Sequence, residues 1–286
     1  MRRLTAIMLA LLMMLTLCAC GGTKEEAKPA AENTSAEPAA SETKVLRIGM
    51  ECAYAPNNWQ ESAATDTNLP IENVSGGYAE GYDVQIAKRV CEQIGAEPVI
   101  VMLSWDGLIE ALNQGQIDMI IAGMADTAER RQAINFSDPY HVTEYGIMVN
   151  SGSPYEGATS IHDFAGASVL GQKDTQLDTV IDQMEGVEHL TPVSSVPNMI
   201  SRLQEGTCDA LVINVENSSS YLQANPDFVV IRFEQGNGFD LGFVGACVGL
   251  RLSDTDLLAD VNSALATIDQ ATRDDLWNTA VENQPK

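Results

Sequence analysis

Residues 122–140 read AGMADTAERRQAINFSDPY, and the stretch begins where an apolar run over 117–122 predicts a strand. Gly123 lies at the end of that strand among small residues with accessible backbone N–H groups, and Arg130 follows within reach. A guanidinium group is a planar fork that matches a carboxylate in bidentate geometry, which lysine cannot reproduce. The stretch therefore indicates a carboxylate receptor, although it also fits a helix whose Glu129 and Arg130 are surface charges.

Strands and helices alternate on both sides of this stretch. Before it, the pattern of apolar residues predicts strands at 45–49, 99–103 and 117–122 and helices over 84–94 and 108–112. After it, the pattern predicts strands at 168–171, 210–214, 229–233 and 245–250 and helices over 177–184, 196–203 and from 257 onwards. The sequence thus predicts an α/β fold with mostly parallel sheets in two similar lobes. Ligands of such sheets lie outside the carboxyl ends of the strands, which places the predicted site in a cleft between the lobes.

The N-terminal region predicts export and anchoring at a membrane. Arg2 and Arg3 precede an apolar run over 4–19, which is shorter than the ~20 residues of a membrane-spanning helix and indicates a signal peptide over 1–19. The run closes with Leu-Cys-Ala-Cys-Gly, which resembles the lipobox of bacterial lipoproteins, with Cys20 as the acylated residue. The alternative is an ordinary cleaved signal with two incidental cysteines. Residues 20–43 lack large apolar side chains beyond the cysteine, so we expect a lipidated Cys followed by a flexible linker.

Composition argues against several classes of function. The 286 residues are 45% hydrophobic, which is enough for a large core, and 16 Lys and Arg against 40 Asp and Glu give a net charge of −24. Such an acidic chain is a poor partner for nucleic acid. The three histidines form no close pair and no cysteine pairs repeat at zinc spacing, so we expect neither a metal nor another cofactor. The four cysteines of the predicted folded part fit either disulfides or buried free thiols: Cys52, Cys91, Cys208 and Cys247.

Several motifs resemble the polar amino-acid substrate-binding proteins of ABC importers. In that family Thr-x-Glu-Arg is followed by Phe-Ser-x-Pro-Tyr, as it is in residues 127–140. The resemblance extends to LRIGMECAYAP at 46–56, GYDV at 81–84 and WDGLI at 105–109, and so covers nearly the whole folded part. It implies a lipoprotein form of the family 3 bacterial extracellular solute-binding proteins, with a two-lobed periplasmic-binding-protein-like fold of type II. Two crossover strands would form the hinge between lobe 1, residues 44–140 plus 245–286, and lobe 2, residues 141–244.

The resemblance implies which residues hold the main-chain end of a bound amino acid. Arg130 would clamp the α-carboxylate, and Gly123 and Ala125 would contribute backbone groups. From the second lobe, Thr175 would cap a helix and contact the ligand, and Asn214 would face the α-nitrogen.

The same resemblance implies which residues hold the ligand side chain. Tyr54 and Trp105 align with an aromatic pair that sandwiches the side chain in relatives that bind basic amino acids, and aromatic faces attract cations. Glu51 lies where such relatives carry a carboxylate toward the side-chain cation. Trp59 is expected near the rim of the cleft. These residues favour arginine, lysine or a similar cation as the ligand.

Asn214 is the largest departure from the family pattern. Relatives usually carry Asp there, and its charge pairs with the α-ammonium of the ligand. Asn accepts a hydrogen bond but does not neutralise a cation, so the site needs compensation from Glu216, Asp174 or Glu51, or else a different ligand class. Many relatives also carry Ser or Thr where Ala125 stands, which removes one hydroxyl contact.

The predicted function is capture of a polar amino acid at the extracytoplasmic face of the cell membrane and its delivery to an ABC permease. We expect a lipid-anchored monomer that closes about its hinge on the ligand and binds no nucleic acid. The sequence contains no recognisable catalytic constellation, and His141 is expected to pack at the hinge rather than act as a base. Two alternatives fit the same sequence, a dehydratase-like cleft enzyme of the same fold and a ligand-sensing module for a membrane receptor.

Overall fold

The computed structural model describes residues 43–241 and 245–285, which belong to one compact unit. The predicted signal peptide, Cys20 and nearly all of the linker lie outside the described residues. The strands, β1 to β14 in chain order, are Lys44–Met50, Ala53–Tyr54, Asn58–Glu61, Leu69–Pro70, Tyr78–Glu80, Ala96–Met102, Met119–Ile120, Ile134–Val142, Tyr145–Asn150, Ser168–Leu170, Glu188–His189, Ala210–Asn214, Phe228–Ile231 and Gly245–Arg251. The α-helices, α1 to α7, are Tyr82–Ile94, Leu108–Asn113, Gln176–Thr179, Val196–Gln204, Ser218–Ala224, Thr255–Ala266 and Gln270–Asn283. Short 3₁₀ helices occupy Trp105–Gly107, Arg130–Gln132, Ile161–Phe164, Val180–Gln183 and Val215–Asn217.

The first lobe is built on a five-stranded sheet with the order β6-β1-β7-β14-β8. β1 pairs in parallel with β6 and β7, whereas β14 runs antiparallel to β7 and β8. The strands of this sheet are strongly apolar because helices cover its faces, and Ile48, Ile100 and Val248 have no exposed surface. Helices α1, α6 and α7 belong to this lobe, and α1 packs against α6 and α7.

The second lobe is built on another five-stranded sheet, with the order β11-β10-β12-β9-β13. β10 pairs in parallel with β11 and β12, and β9 runs antiparallel to β12 and β13. Its core is separate from that of the first sheet and includes Ile147, Val169 and Val212, which are fully buried. The predicted two-lobed α/β fold is therefore confirmed.

A small antiparallel sheet, β2-β3-β5-β4, lies beside the first lobe. It carries Tyr54 at the end of β2 and Trp59 in β3. Trp59 is only 3% exposed and belongs to the core of the first lobe, and its Nε1 donates a hydrogen bond to Glu61 Oε1 at 2.8 Å. The expectation that Trp59 lies near the rim of the cleft is wrong, because β3 is held between β2 and β5 and turns the indole inward.

The chain passes between the two large sheets twice. β8 leaves the first sheet at Val142, and β9 enters the second at Tyr145, with Thr143 and Glu144 between them. The return path runs from β13 to β14. These two connections correspond to the predicted crossover strands.

Several predicted elements differ in extent from the observed ones: the strand predicted at 99–103 begins three residues earlier, and two further elements are shorter than predicted. The helix expected over 177–184 is one α-helical turn, α3, followed by the 3₁₀ helix Val180–Gln183. Its apolar residues are spaced by three and four positions, and that spacing fits both helix types. The strand expected over 117–122 is regular only at Met119–Ile120.

The described residues show the state of the four cysteines and whether any helix could cross a membrane. Cys52, Cys91, Cys208 and Cys247 are free and buried, which agrees with the thiol alternative rather than with disulfides. Among the described residues, none of the helices is both long and apolar enough to cross a bilayer.

Candidate functional site

All eight residues expected to bind a ligand line one cavity between the lobes, which we call the interlobe cavity. They are Glu51, Tyr54, Trp105, Gly123, Ala125, Arg130, Thr175 and Asn214. The first six come from the first lobe and its small sheet, and the last two come from the second lobe.

Most of these residues stand where strands end. Glu51 directly follows β1, Gly123 lies three positions after the end of β7, Thr175 lies five positions after the end of β10, and Asn214 is the last residue of β12. Within each lobe these strands are parallel to one another, so their carboxyl ends meet at the same edge of the sheet. The fold thereby brings residues more than 160 positions apart into one cavity.

Arg130 connects the two walls of the cavity. Its Nη1 donates a hydrogen bond to Ala125 O at 2.7 Å within the first lobe, and its Nη2 donates one to Asp174 O at 2.7 Å in the second. The guanidinium carbon lies 5.3 Å from the centroid of the Trp105 ring, within cation–π range. A guanidinium has five N–H donors, so these two hydrogen bonds leave donors for a ligand carboxylate.

Tyr140 of the Phe-Ser-Asp-Pro-Tyr motif fixes the backbone at Gly123. Its hydroxyl accepts a hydrogen bond from Gly123 N at 2.9 Å and donates one to Asp83 Oδ1 at 2.8 Å. Asn58 Nδ2 donates to the other oxygen of Asp83 at 2.8 Å. Burial raises the pKa of Asp83 to about 6, and these hydrogen bonds oppose the rise. The motifs around residues 54, 83, 123 and 140 therefore meet beneath the cavity, and the N–H of Gly123 is already engaged.

Gly123 has a further reason to be glycine. Its φ is +63°, which side chains rarely adopt, and a Cβ atom there would lie 3.1 Å from Tyr54 Cε1. The glycine lets the Tyr54 ring approach the backbone that leads to Arg130.

Glu51 is the titratable carboxyl group of the cavity wall. Burial raises its pKa to about 7; the hydrogen-bonding side chain of Gln172 opposes the rise, and the nearby charge of Asp106 adds to it. Glu51 is thus partly protonated near neutrality and would ionise more fully beside a bound cation.

The second lobe contributes a strand-to-helix turn and the end of β12. Thr175 caps α3: its Oγ1 accepts a hydrogen bond from Leu177 N at 3.1 Å and donates one to Gln172 O at 2.8 Å. Asp174 does not cap the helix, because its left-handed backbone, with φ 59°, turns its carbonyl toward Arg130. The Asp174 carboxylate instead pairs with Lys173 Nζ at 3.4 Å.

Asn214 presents an acceptor without a partner. Its Oδ1 is buried, and no hydrogen bond to it is found within 43–241 and 245–285. Of the three carboxylates considered as compensation, Glu216 accepts hydrogen bonds from the Thr143 hydroxyl and from Glu144 N, and Asp174 is paired with Lys173. Only Glu51 lines the interlobe cavity.

Five lining residues were not named as binding residues from the sequence: Ala122, Tyr145, Gln172, Gln176 and Leu177. Gln172 lies three positions before Thr175 in the turn that precedes α3, and Gln176 follows Thr175 as the first residue of α3, so sequence proximity could have found both. Tyr145 begins β9 just after the crossover, and its hydroxyl donates to Gln176 Oε1 at 3.3 Å. No local motif marks Tyr145, because only the antiparallel pairing of β9 with β12 brings it beside Asn214.

The interlobe cavity is narrow in this conformation, with about 30 Å³ of space open to water. It continues into a larger cleft of about 660 Å³, the outer groove, which shares Trp105, Arg130, Thr175 and Gln176 with it. Because Arg130 bridges the walls, the described state is closed at that point. A ligand would enter after the Arg130 to Asp174 contact opens. Within the described residues, no group of three or more His, Cys, Asp or Glu is arranged to hold a metal.

The chain matches known proteins over most of its length. The family model described as bacterial extracellular solute-binding proteins, family 3, matches residues 46–279. A probable histidine-binding protein of Campylobacter jejuni is 27% identical over 272 residues, covering 94% of this chain and 93% of that protein. The arginine-binding extracellular protein ArtP of Bacillus subtilis is 23% identical over 273 residues, covering 93% and 92%.

The fold also matches solved structures of similar proteins. The arginine-bound form of truncated ArgBP from T. maritima is 28% identical, has a TM-score of 0.65, and aligns with 79% of this chain and 96% of its own. The family match spans both lobes and every residue of the interlobe cavity. This chain therefore belongs to the bacterial extracellular solute-binding proteins of family 3.

Proposed function

We propose that this protein captures a polar, basic α-amino acid in the interlobe cavity and delivers it to an ABC permease. The observation that carries the proposal is that Arg130 and Glu51, of opposite charge, line the same cavity together with Tyr54 and Trp105. An amino acid such as arginine carries a carboxylate for the guanidinium, a cation for Glu51, and a flat side chain for the aromatic rings.

Several relatives support this ligand class, whereas others are named for binding L-cystine. Proteins named for binding histidine, arginine and octopine are among the chains similar to this one. Each of these ligands carries a carboxylate and a nitrogen-containing side chain. The proposal for this chain extends that chemistry to the residues that line its own cavity.

Lobe closure is the proposed mechanism. The ligand would first meet Arg130, Tyr54 and Trp105 in lobe 1, residues 44–140 plus 245–286. Thr175 and Asn214 of lobe 2, residues 141–244, would then complete the cage, and the closed form would be favoured by the contacts it gains. Delivery to a permease and a monomeric state are parts of the same proposal, as is the absence of catalysis.

We further propose that acylation of Cys20 holds the protein at the extracytoplasmic face of the cell membrane. Cys20→Ser should shift the protein from the membrane fraction to the soluble fraction, while Cys18→Ser, the matched control, should not. Fractionation followed by mass spectrometry of the mature N-terminus measures both. Equal release of the two variants, or of neither, would contradict the assignment.

A thermal-shift screen of residues 42–286 tests the ligand class. Ligands that bind the native state raise the melting temperature by mass action. Arginine, lysine, histidine, glutamine and citrulline would be compared at millimolar concentration. We expect the basic members to stabilise the protein most, and a stronger response to glutamine than to arginine or lysine would contradict a basic ligand.

A cleft enzyme is the second candidate, because a carboxyl group with a pKa near neutrality in a cavity is also what a general acid requires. Incubation of each stabilising ligand with the protein, followed by proton NMR of the mixture, separates the two candidates. An unchanged ligand supports binding, whereas a new product that disappears with Glu51→Gln supports the enzyme.

A further inference from the structure

A third cavity lies behind the interlobe cavity, next to the first crossover between the lobes. We call it the hinge chamber. It has a volume of about 20 Å³ and shares Gly123, Ala125, Tyr145 and Asn214 with the interlobe cavity. Its remaining polar side chains are Asn57, His141, Thr143 and Asn217. A chamber of this size holds one water molecule when two or more polar groups face it.

Two of the polar groups that line the chamber are buried without a partner. His141 Nε2 and Asn214 Oδ1 have no hydrogen-bond partner among the described residues. The other polar groups are already paired: Asn217 Nδ2 donates to Asn57 Oδ1 at 2.7 Å, and the Thr143 hydroxyl donates to Glu216. Buried polar atoms rarely lack a hydrogen-bond partner, so we expect a further group to bind His141 Nε2 and Asn214 Oδ1.

The His141 ring is fixed in place by aromatic packing. It stacks on Trp277 of α7, with 4.1 Å between ring centroids and 17° between planes, and it meets the edge of Tyr82 of α1 at 5.3 Å. The charged groups that act on it are Glu216 beyond β12 and Arg273 and Asp274 of α7. Burial lowers the pKa of His141, with Glu216 and Asp274 opposing and Arg273 adding to the effect, so the imidazole is neutral at pH 7 and Nε2 can act as an acceptor.

We propose that the hinge chamber binds one water molecule, which donates hydrogen bonds to His141 Nε2 and Asn214 Oδ1 and accepts one from the α-nitrogen of the ligand. Water has two donors and two lone pairs, so it matches two acceptors on the protein and one donor on the ligand. His141 is then a positioning residue of the ligand site. The inference rests on the proposed function, because it places the α-nitrogen beside Asn214. It also explains how a site with Asn at position 214 can hold an ammonium group through neutral acceptors.

Two variants at His141 separate this role from packing. His141→Phe retains an aromatic ring to stack on Trp277 but removes the acceptor. His141→Gln retains an acceptor near the position of Nε2 but does not titrate. Calorimetry on residues 42–286 would compare arginine with 5-guanidinopentanoate, which keeps the carboxylate and the guanidinium but lacks the α-amino group.

At pH 7.5 we expect His141→Phe to weaken arginine binding about 3- to 10-fold, the range for one lost water-mediated hydrogen bond, and to leave 5-guanidinopentanoate within about twofold. His141→Gln should restore most of the arginine affinity. Equal losses for the two ligands would overturn the proposal, because they would show that His141 acts through hinge packing alone.

The pH dependence gives a second readout. Protonation turns Nε2 from an acceptor into a donor and adds a positive charge near the ligand ammonium. The ratio of wild-type to His141→Gln affinity for arginine should therefore fall as the pH is lowered through the pKa of His141, which burial holds below its usual range. Glu51 and Asp83 titrate near pH 7 and pH 6, and the ratio cancels their contribution because both proteins contain them. Proton NMR of the His141 imidazole locates its pKa, and a ratio that does not change across it would contradict the assignment.

A crystal structure keeps the inference testable if the ligand proposal fails. The water should lie within about 3.2 Å of both His141 Nε2 and Asn214 Oδ1, with or without a ligand. If no amino acid stabilises the wild-type protein, the proposed function is contradicted. The electron density then still tests the water site independently. A dry chamber, or a side chain that fills it, would overturn the water site.

Discussion

Arg130 and Glu51 are the two charged residues of the interlobe cavity, and they differ in whether their charge changes near neutral pH. Arg130 is held by two backbone carbonyls and stays a cation. Glu51 has a pKa of about 7 and therefore exchanges a proton near neutrality. Charge complementarity with a basic amino acid is thus constant at the carboxylate end of the ligand and dependent on pH at the side-chain end.

Binding of a cationic amino acid should consequently tighten as the pH rises from 5.5 to 8. A cation favours the Glu51 carboxylate, so ligand binding releases part of a proton when the group is protonated beforehand. Calorimetry in buffers of different ionisation enthalpy measures that release. Glu51→Gln should remove this part of the pH dependence and weaken arginine about tenfold or more, as expected for loss of a partly buried charge pair.

Without ligand, Glu51 makes the free energy of unfolding depend on pH in the direction opposite to that of ligand affinity. Because its folded pKa of about 7 exceeds its ordinary value of 4.5, the free energy of unfolding should fall as the pH rises from 4.5 through 7 and then level off. Asp83 acts with the same sign up to about pH 6. Two results would contradict this role of Glu51. One is a wild-type affinity for arginine that does not change between pH 5.5 and 8, and the other is a Glu51→Gln variant whose affinity depends on pH as strongly as that of the wild type.

At the scale of elements, strand ends determine where the site forms. β1, β12 and β14 were predicted within one residue because each is mainly apolar, with Arg47 the one charged residue inside β1, and such runs are typical of sheets covered on both faces. The turn before α3 was predicted from Thr175 as a cap. The site residues beside these ends could be predicted because a family motif marks them.

What the sequence could not predict depends on contacts between distant strands. Tyr145 reaches the interlobe cavity only through the pairing of β9 with β12, and Trp59 is buried only because β3 pairs on both sides. The carbonyl of Asp174 accepts a hydrogen bond from Arg130 because Asp174 has a left-handed backbone conformation. Non-glycine residues rarely adopt that conformation, and the sequence does not predict it here. Local periodicity carries none of this information.

Thr175 links the stability of α3 to the shape of the cavity. Thr175→Ala removes the cap on Leu177 N and should lower the free energy of unfolding by about 1 kcal/mol. Arginine binding should weaken as well, because the same side chain lines the cavity. Thr175→Ser keeps the hydroxyl and should behave like the wild type in urea denaturation and calorimetry. A stability loss in Thr175→Ser as large as in Thr175→Ala would refute the capping role.

At the scale of the whole molecule, polar contacts join the lobes beside the site. Arg130 bonds to Asp174 O, and the buried Asn217 Nδ2 bonds to the buried Asn57 Oδ1 at 2.7 Å. A closed conformation needs such contacts, because they are gained only when the lobes meet.

Asn217→Ala should therefore shift the unliganded protein toward open lobes and weaken ligand binding. Small-angle X-ray scattering would show a larger radius of gyration without ligand that contracts when ligand is added at saturation. Asn57→Ala removes the other partner, and the double variant should lose little more than either single variant because both break the same hydrogen bond. Fully additive losses would show that the two residues do not act as a pair.

The most direct test of the account is a calorimetric comparison of arginine and agmatine with the wild-type protein and Arg130→Ala. Agmatine carries the same guanidinium side chain without the carboxylate, so it cannot use the clamp. We expect the wild type to bind arginine at least about a hundredfold more tightly than agmatine, and Arg130→Ala to lose arginine binding to a similar extent. Near-normal arginine affinity in Arg130→Ala, or agmatine binding as tight as arginine in the wild type, would contradict the central claim that Arg130 holds the ligand carboxylate.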